Sequence, residues 1–130
     1  MTAPVTVAVV SFNAREHLGR CLTSLAADHE AGRADVWVVD NASTDGAPDL
    51  VRSAFPWVTL VASPENLGFG RAVNLVAERT RSEWLATAND DVAVEPEAIG
   101  RLLAAADDAV GVVAPRLILP DGSTEQTVHP

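Results

Sequence analysis

The chain has 130 residues, the size of a single domain, and 48% of them are apolar, which is enough for a hydrophobic core. Its formal net charge is −9 and all nine of its Lys or Arg residues are arginine, a balance that argues against binding to a nucleic-acid backbone. The single cysteine excludes an internal disulfide, and the sequence shows neither a secretory leader nor an apolar run long enough to cross a membrane. We therefore expect a cytoplasmic protein, with peripheral attachment at the inner face of the membrane as an open alternative for a longer chain.

Apolar runs of strand length alternate with helical patterns along the first part of the chain. Residues 5–10 are β-branched and nearly continuous, as is typical of a strand buried on both faces. Asn13, with Glu16 three residues later, predicts a capping box at the start of a helix. The pattern then predicts a strand over 35–40, a short helix near 48–54 and a strand near 57–62.

The same alternation continues to the end of the chain. It predicts a helix over about 68–79, a strand over 82–88, a helix with Pro96 in its first turn, a strand over 110–114, and a hairpin turn at 120–122. Successive strand–helix units imply a mostly parallel sheet with right-handed crossovers. The sequence therefore predicts an α/β fold, a three-layer α/β/α sandwich of Rossmann-like type.

Polar residues gather where the predicted strands end. The first strand is followed by Ser11-Phe12-Asn13, the second ends in Asp40-Asn41, and the fourth runs into Asn89-Asp90-Asp91. The loop after the third strand contributes 66–71. In open α/β sheets ligands bind at the carboxyl ends of the strands, so this placement predicts one ligand site at that edge.

The adjacent pair Asp90-Asp91 has two interpretations. Neighbouring carboxylates repel each other unless a cation or hydrogen-bond donors compensate, and Mg²⁺ and Mn²⁺ are commonly held by one or two carboxylates with substrate phosphates. The alternative is a solvated loop in which one aspartate caps the next helix. Because the pair directly follows an apolar strand, we place the metal interpretation ahead of the capping one.

Two other candidates remain evenly balanced on the sequence alone. Asp40 can accept a hydrogen bond from the imide N–H of a uracil or thymine base, or it can cap the turn that follows it. Phe12 can stack on a base or pack in the core. The glycine-rich stretch from Gly68 to Val73 can bring backbone near a phosphate. It is not a dinucleotide-binding motif, because Val73 stands where the last glycine is needed and the stretch does not follow the first strand.

Four ordered motifs together resemble family 2 glycosyltransferases of the GT-A fold, particularly rhamnosyltransferase-like members. They are the Ser-Phe-Asn triplet at 11–13, the Val-Asp-Asn-x-Ser-x-Asp-Gly stretch at 39–46, the Asn-x-Gly-Phe-x₄-Asn stretch at 66–74 and Asn-Asp-Asp at 89–91. A Pro-Asp-Gly turn at 120–122 also occurs in many members. The resemblance covers almost the whole chain, and it makes 1–130 the nucleotide-diphospho-sugar-binding part of a glycosyltransferase catalytic domain.

The resemblance implies an inverting, metal-dependent enzyme that transfers a sugar from a UDP- or TDP-sugar to the hydroxyl of a glycan, a lipid-linked acceptor or a small molecule. It assigns Asp91 to a Mg²⁺ or Mn²⁺ ion and leaves the catalytic base to an acceptor-binding half beyond residue 130. The remaining residues that it places at the nucleotide sugar are Ser11, Phe12, Asn13, Asp40, Asn66, Gly68, Arg71, Asn74 and Asp90.

Two competing functions stay open at this point. A nucleotidyltransferase-like domain shares carboxylates at strand ends, but its glycine-rich basic loop is missing after the first strand. A non-catalytic α/β nucleotide-binding or regulatory domain would use the same carboxylates only as helix caps. For a chain without its acceptor half we also expect self-association, through pairing or exchange of the segment 116–129.

Overall fold

The structure is a computed structural model that describes residues 2–125, and the chain forms two compact units that meet in sequence between Pro96 and Glu97. The first unit contains a four-stranded sheet in which every pairing is parallel. Its strands, in chain order, are β1 (Val5–Ser11), β2 (Ala34–Asn41), β3 (Thr59–Ser63) and β4 (Trp84–Asn89).

Three helices connect these strands: α1 (Arg15–Glu30), α2 (Ala47–Ala54) and α3 (Gly68–Arg79). On one face of the sheet, Ala72 and Val76 of α3 pack against Ala8 and Val39 in a buried cluster. Successive side chains of a strand point to opposite faces, so the neighbouring strand residues belong to the other face. There α1 contacts β2 and α2 contacts α1, and the buried leucines of α1 supply its apolar side. The α/β/α sandwich predicted from the sequence is confirmed.

The strand order β3-β2-β1-β4 creates a reversal beside β1. The chain first adds β2 and β3 on one side of β1 and then returns to place β4 on its other side. The loops that leave β1 and β4 therefore diverge, and the crevice between them at the carboxyl end is where ligands of such sheets bind. The topology puts the ends of β1, β2 and β4 at one edge, as the sequence predicted.

The capping box predicted for Asn13 and Glu16 is wrong. The first helix begins at Arg15, its N-cap position is Ala14, and no side chain caps it. Asn13 instead adopts a left-handed φ of 46°, and its side-chain oxygen accepts a hydrogen bond from the Thr44 backbone N–H. The local pattern predicted that the Asn13 side chain caps the helix, but this side chain makes a tertiary hydrogen bond instead.

The second unit contains α4 (Ala98–Ala105) and a hairpin of β5 (Leu117–Ile118) and β6 (Thr124–Glu125). The predicted hairpin turn is confirmed, with Gly122 at a φ of 86°. The strand predicted over 110–114 is wrong: these residues pair with no strand among the described ones, and a β-branched run without a neighbour to hydrogen-bond is not a strand. No helix within 2–125 is long and apolar enough to span a membrane.

Candidate functional site

The ends of β1 and β2 hold two buried polar side chains side by side. Ser11 and Asp40 are partners in the parallel register and are 0% and 2% exposed. One oxygen of Asp40, Oδ2, accepts the backbone N–H of Ser43 at 2.9 Å, which is the turn-capping role. The other, Oδ1, has no hydrogen-bond partner among residues 2–125, and neither has Ser11 Oγ. Asp40 thus caps its turn and still keeps a free acceptor, so the two interpretations of this residue are compatible.

The loops after β1 and β2 are fastened to each other by Asn13. Its backbone N–H donates to Ser43 Oγ at 2.9 Å, and its side-chain Oδ1 accepts the Thr44 N–H at 2.8 Å. Asn is among the residues that tolerate the left-handed backbone required here. These two bonds hold the backbone directly after Phe12 against the loop that follows β2, so Asn13 has a structural role at this edge.

The Asp45 side chain also links the loops after β1 and β2 through hydrogen bonds. Its Oδ2 accepts the backbone N–H of Arg15 and its Oδ1 that of Ala47, both at 3.0 Å. These are the first residues of α1 and α2, so one carboxylate satisfies a free donor at the N-terminus of each helix. Within the motif at 39–46, Asp45 therefore has a structural role, which the spacing of the motif alone did not indicate.

Phe12 and Asp90 meet across the strand-order reversal. The Phe12 backbone N–H donates to Asp90 Oδ2 at 3.1 Å and links the loop after β1 to the loop after β4. The Phe12 ring is 50% exposed, so the core-packing interpretation of this residue is wrong. An exposed aromatic ring beside a crevice offers a face on which a planar base can stack. Asp91, the next residue, is exposed.

The loop after β3 is held by Asn41, which the sequence analysis did not single out. This side chain is 3% exposed, its Nδ2 donates to the Gly68 carbonyl at 3.3 Å, and its Oδ1 accepts the Leu67 N–H at 3.2 Å. Within the loop, Asn66 Oδ1 accepts the Gly68 N–H at 2.9 Å, and Gly68 has a φ of 76°. An asparagine that directly follows Asp40 at the buried end of β2 was the available signal.

The structure does not bring every predicted residue into this hydrogen-bonded group. Arg71 and Asn74 lie exposed on α3, and Asn66 uses its side-chain oxygen within its own loop. A Cβ atom placed at Gly70 would meet no other group within 4 Å among the described residues. These positions are available to a ligand, but the described contacts give them no fixed partner.

The thiol of Cys21 on α1 has a raised pKa. Burial, followed by the nearby carboxylates of Asp90 and Asp91, raises the pKa of the Cys21 thiol from its ordinary value of 9.0 to about 12. The thiol therefore stays neutral and is a buried apolar group.

Within 2–125, no three His, Cys, Asp or Glu side chains lie close enough together to hold a metal ion by themselves. Asp90 keeps only one oxygen free of protein hydrogen bonds, whereas Asp91 is exposed and makes none among the described residues. One or two carboxylates suit Mg²⁺ or Mn²⁺ only when phosphate oxygens and water complete the coordination. The residues present therefore fit an ion that arrives with a phosphate-bearing ligand.

Comparison with known proteins identifies the family. The model of glycosyl transferase family 2 matches residues 6–130, nearly the whole chain. The chain belongs to glycosyl transferase family 2. The family membership and the GT-A fold predicted from the sequence motifs are thereby confirmed, and structural relatives described below support the fold independently.

Two curated family 2 relatives show how much of such a protein the chain represents. It is 35% identical over 136 residues to N-acetylglucosaminyl-diphospho-decaprenol L-rhamnosyltransferase of Mycobacterium tuberculosis, covering 95% of the chain and 44% of the relative. It is 33% identical over 111 residues to succinoglycan biosynthesis protein ExoO of Rhizobium meliloti, covering 85% and 32%. The chain spans less than half the length of either relative.

Solved structures of glycosyltransferases share the fold. The mannosyltransferase PcManGT of Pyrobaculum calidifontis, in complex with GDP-Man and Mn²⁺, superposes with a TM-score of 0.75 at 28% identity, covering 85% of the chain and 34% of that protein. TarS of S. aureus in complex with UDP-GlcNAc has a TM-score of 0.69 at 23% identity, covering 77% and 30%, and supports the fold alone.

Proposed function

We propose that this chain is the donor-binding half of an inverting, metal-dependent glycosyltransferase that takes its sugar from a UDP- or TDP-sugar. The observation that carries the proposal is the pair of unpartnered buried oxygens, Ser11 Oγ and Asp40 Oδ1, at the ends of adjacent strands. A buried polar atom without a partner costs about 1–3 kcal/mol, so such a pair is expected where a ligand completes the hydrogen bonding.

The chemistry of the pair matches the imide of a pyrimidine base. Asp40 Oδ1 can only accept and suits the imide N–H, while the Ser11 hydroxyl can donate to the adjacent carbonyl. Guanine presents two neighbouring N–H donors that suit both oxygens of a carboxylate, but Asp40 Oδ2 is already occupied by Ser43. Because Phe12 directly follows Ser11 and is half exposed, we place its ring where it can stack on the base.

We assign the metal to Asp91, with Asp90 beside it toward the ribose or the sugar. The solved relative with GDP-Man contains Mn²⁺, and this chain has no lysine to neutralise a diphosphate. When bound, a divalent ion offsets the negative charge that builds up on the departing nucleoside diphosphate. Arg71, exposed on α3, is the cationic side chain that we place near the donor.

The second substrate and the base belong to the acceptor side. Single displacement at the anomeric carbon requires a base that takes the proton of the acceptor hydroxyl, and we expect it in an acceptor-binding half of the full-length enzyme. The similarity to an enzyme named for a decaprenol-linked substrate favours a lipid-linked acceptor. We accordingly place the full-length enzyme at the inner face of the membrane.

Isothermal titration calorimetry tests the proposal directly. UDP, TDP, GDP and ADP are titrated into the 130-residue chain, with and without Mn²⁺ or Mg²⁺. We expect UDP or TDP to bind most tightly, and the metal to strengthen that binding. Tighter binding of a purine diphosphate would overturn the base assignment. Absence of any binding at millimolar ligand would favour a non-catalytic α/β domain.

A matched pair of variants tests the metal assignment. Asp91→Asn should abolish the metal dependence of nucleotide binding and leave the melting temperature nearly unchanged, because an exposed loop residue contributes little to the core. Asp49→Asn is the control, since Asp49 is also exposed but pairs with Arg52 on α2. If Asp91→Asn unfolds the chain while the folded fraction keeps metal-dependent binding, Asp91 is a capping residue.

We also propose that the chain self-associates through its exposed second unit. Val112 is 86% exposed, and Leu117, Ile118 and Leu119 are between 39% and 54% exposed. Among the described residues, the two strands of this hairpin pair only with each other. The segment 116–129 proposed for pairing extends beyond the described residues from 126 onward. Light scattering at micromolar concentration should show dimers or larger species, and a monodisperse monomer would contradict the proposal.

A further inference from the structure

The segment 90–94, which carries both candidate ligand carboxylates, is anchored at one end to the loop after β1 and at the other end to α1. At its start, Asp90 Oδ2 accepts the Phe12 N–H. At its end, the backbone N–H of Val94 donates to Ser24 Oγ at 2.9 Å. Between these points the only backbone bond among the described residues is a long one of 3.4 Å from the Val92 N–H to the Asn89 carbonyl. The position of Asp91 therefore depends on its two anchors.

Ser24 is well suited to be an anchor. Its hydroxyl donates to the Cys21 carbonyl at 2.6 Å, within α1, and that bond orients the oxygen so that a lone pair faces Val94. Ser24 is partly buried. The serine thus connects a rigid helix, buried along one side, to the loop at the site.

Thr23, the residue before Ser24, provides a comparison within the same helix. Thr23 also has a hydroxyl that bonds back to its own helix, to the Gly19 carbonyl at 2.7 Å, but it is exposed and its hydroxyl reaches no other element. Both hydroxyls therefore bond back to their own helix, but among the described residues only the partly buried Ser24 adds a tertiary bond, to Val94.

We infer that Ser24 is a positioning residue that holds the 90–94 segment in place for the metal at Asp91. The inference rests on the proposed function, since it takes Asp91 as the metal ligand. A loop held at both ends loses less conformational entropy when an ion and a diphosphate order it than a loop held at one end. Ser24 touches neither the substrate nor the ion, and its effect is confined to binding that requires the metal.

Ser24→Ala, Ser24→Thr and the control Thr23→Ala test the inference. Mn²⁺ binding in the presence of UDP is measured by electron paramagnetic resonance, and exchange of the Val94 amide proton by NMR. For Ser24→Ala we expect Mn²⁺ affinity to fall about two- to tenfold and Val94 exchange to quicken by a similar factor, the range of one lost hydrogen bond. UDP binding without metal should not change. Ser24→Thr, which retains a hydroxyl, should restore both values, and Thr23→Ala should resemble the unmodified chain.

The outcomes separate the inference from the function on which it rests. Unmodified protein that binds no Mn²⁺ with UDP would contradict the metal assignment itself. Unmodified protein that binds Mn²⁺ with an affinity unaffected by Ser24→Ala would overturn the positioning role. An equal loss in Thr23→Ala would also overturn it, because the effect would then come from helix stability. Loss of metal-free UDP binding in Ser24→Ala would assign Ser24 to general folding.

Discussion

The two ends of β1 carry buried hydroxyl groups with opposite surroundings. Thr6, near the amino end, is 0% exposed, and its hydroxyl bonds to the side chains of Thr80 and Ser82. Ser11, at the carboxyl end, is equally buried, and its hydroxyl has no partner among the described residues. The buried hydroxyl at the amino end of β1 is satisfied within the protein, whereas the one at the carboxyl end is not, and this contrast supports the proposed ligand site at the carboxyl edge.

Two buried aspartates extend the comparison. Asp28 lies at the end of α1 beside the amino edge and pairs with Arg33 at 2.8 Å, while its Oδ2 has no partner. Asp40 also has one unpartnered oxygen, but its other oxygen meets only the neutral backbone of Ser43. A cation compensates the charge at the amino edge, and at the carboxyl edge no cationic side chain pairs with Asp40 among the described residues. A ligand is expected to supply the missing donors there.

The largest effect is expected for Asp40→Asn. The amide oxygen can keep the bond from Ser43, which turns the amide NH₂ toward the place of the imide N–H, so two donors oppose each other. UDP affinity should fall roughly ten- to hundredfold, with little change in the free energy of unfolding. The affinity for CDP, whose ring nitrogen accepts a hydrogen bond at this position, should fall less than the affinity for UDP or even rise. Calorimetry that shows equal losses for UDP and CDP would contradict the base assignment.

Arg33→Ala tests the amino edge, where we expect a loss of stability without a loss of UDP binding. It leaves the buried Asp28 carboxylate without its cation, and because Arg33 is 41% exposed we expect a moderate loss of about 2 kcal/mol in the free energy of unfolding. UDP affinity should stay the same. Arg52→Ala is the control, since its partner Asp49 is 88% exposed and the pair should contribute less than about 1 kcal/mol. Urea denaturation that shows equal effects for both variants would remove the distinction drawn for Asp28.

Two variants, one at each end of β1, test the comparison further. Thr6→Val removes a bonded hydroxyl and should cost about 1 kcal/mol of stability, with no change in UDP binding. Ser11→Ala removes an unbonded hydroxyl, so stability should hold or rise slightly while UDP binding weakens by roughly two- to tenfold. Denaturation and titration of both variants provide the readout. The reverse assignment of effects would mean that the unpartnered hydroxyl is not a ligand group.

The smallest effect concerns pH. The folded pKa of Cys21 is raised to about 12, whereas the unfolded thiol has its ordinary value of 9.0, so above about pH 9 the unfolded chain releases a proton that the folded chain keeps. Stability from this group therefore falls as pH rises through that window, by less than about 1 kcal/mol between roughly pH 8 and pH 9.5. Cys21→Ala should show a shallower alkaline decline in urea midpoint. Parallel declines would mean that the thiol pKa is not raised.

Local patterns were sufficient for most of the first unit. The helix predicted at 68–79 is α3, and the residues 5–10 form most of β1, because continuous β-branched runs and helical periodicity reflect burial that repeats along the chain. The strand predicted at 110–114 failed since a strand requires a partner, and pairing is not a local property. The capping box failed since Thr44, distant in sequence, competes for the Asn13 side chain.

The fold class, the family and the edge of the sheet at which polar residues collect could all be predicted from the sequence, because strand ends and the order of motifs are properties of the chain. The role of each polar residue at that edge became known only from the folded structure. It gave Asn13, Asn41 and Asp45 to holding loops together, left Ser11 and Asp40 with free oxygens, and brought Ser24 against Val94. The physical reason is that a hydrogen-bonding side chain has a choice of partners, and the folded neighbours, most of them far away in sequence, determine which partner is near enough to bind.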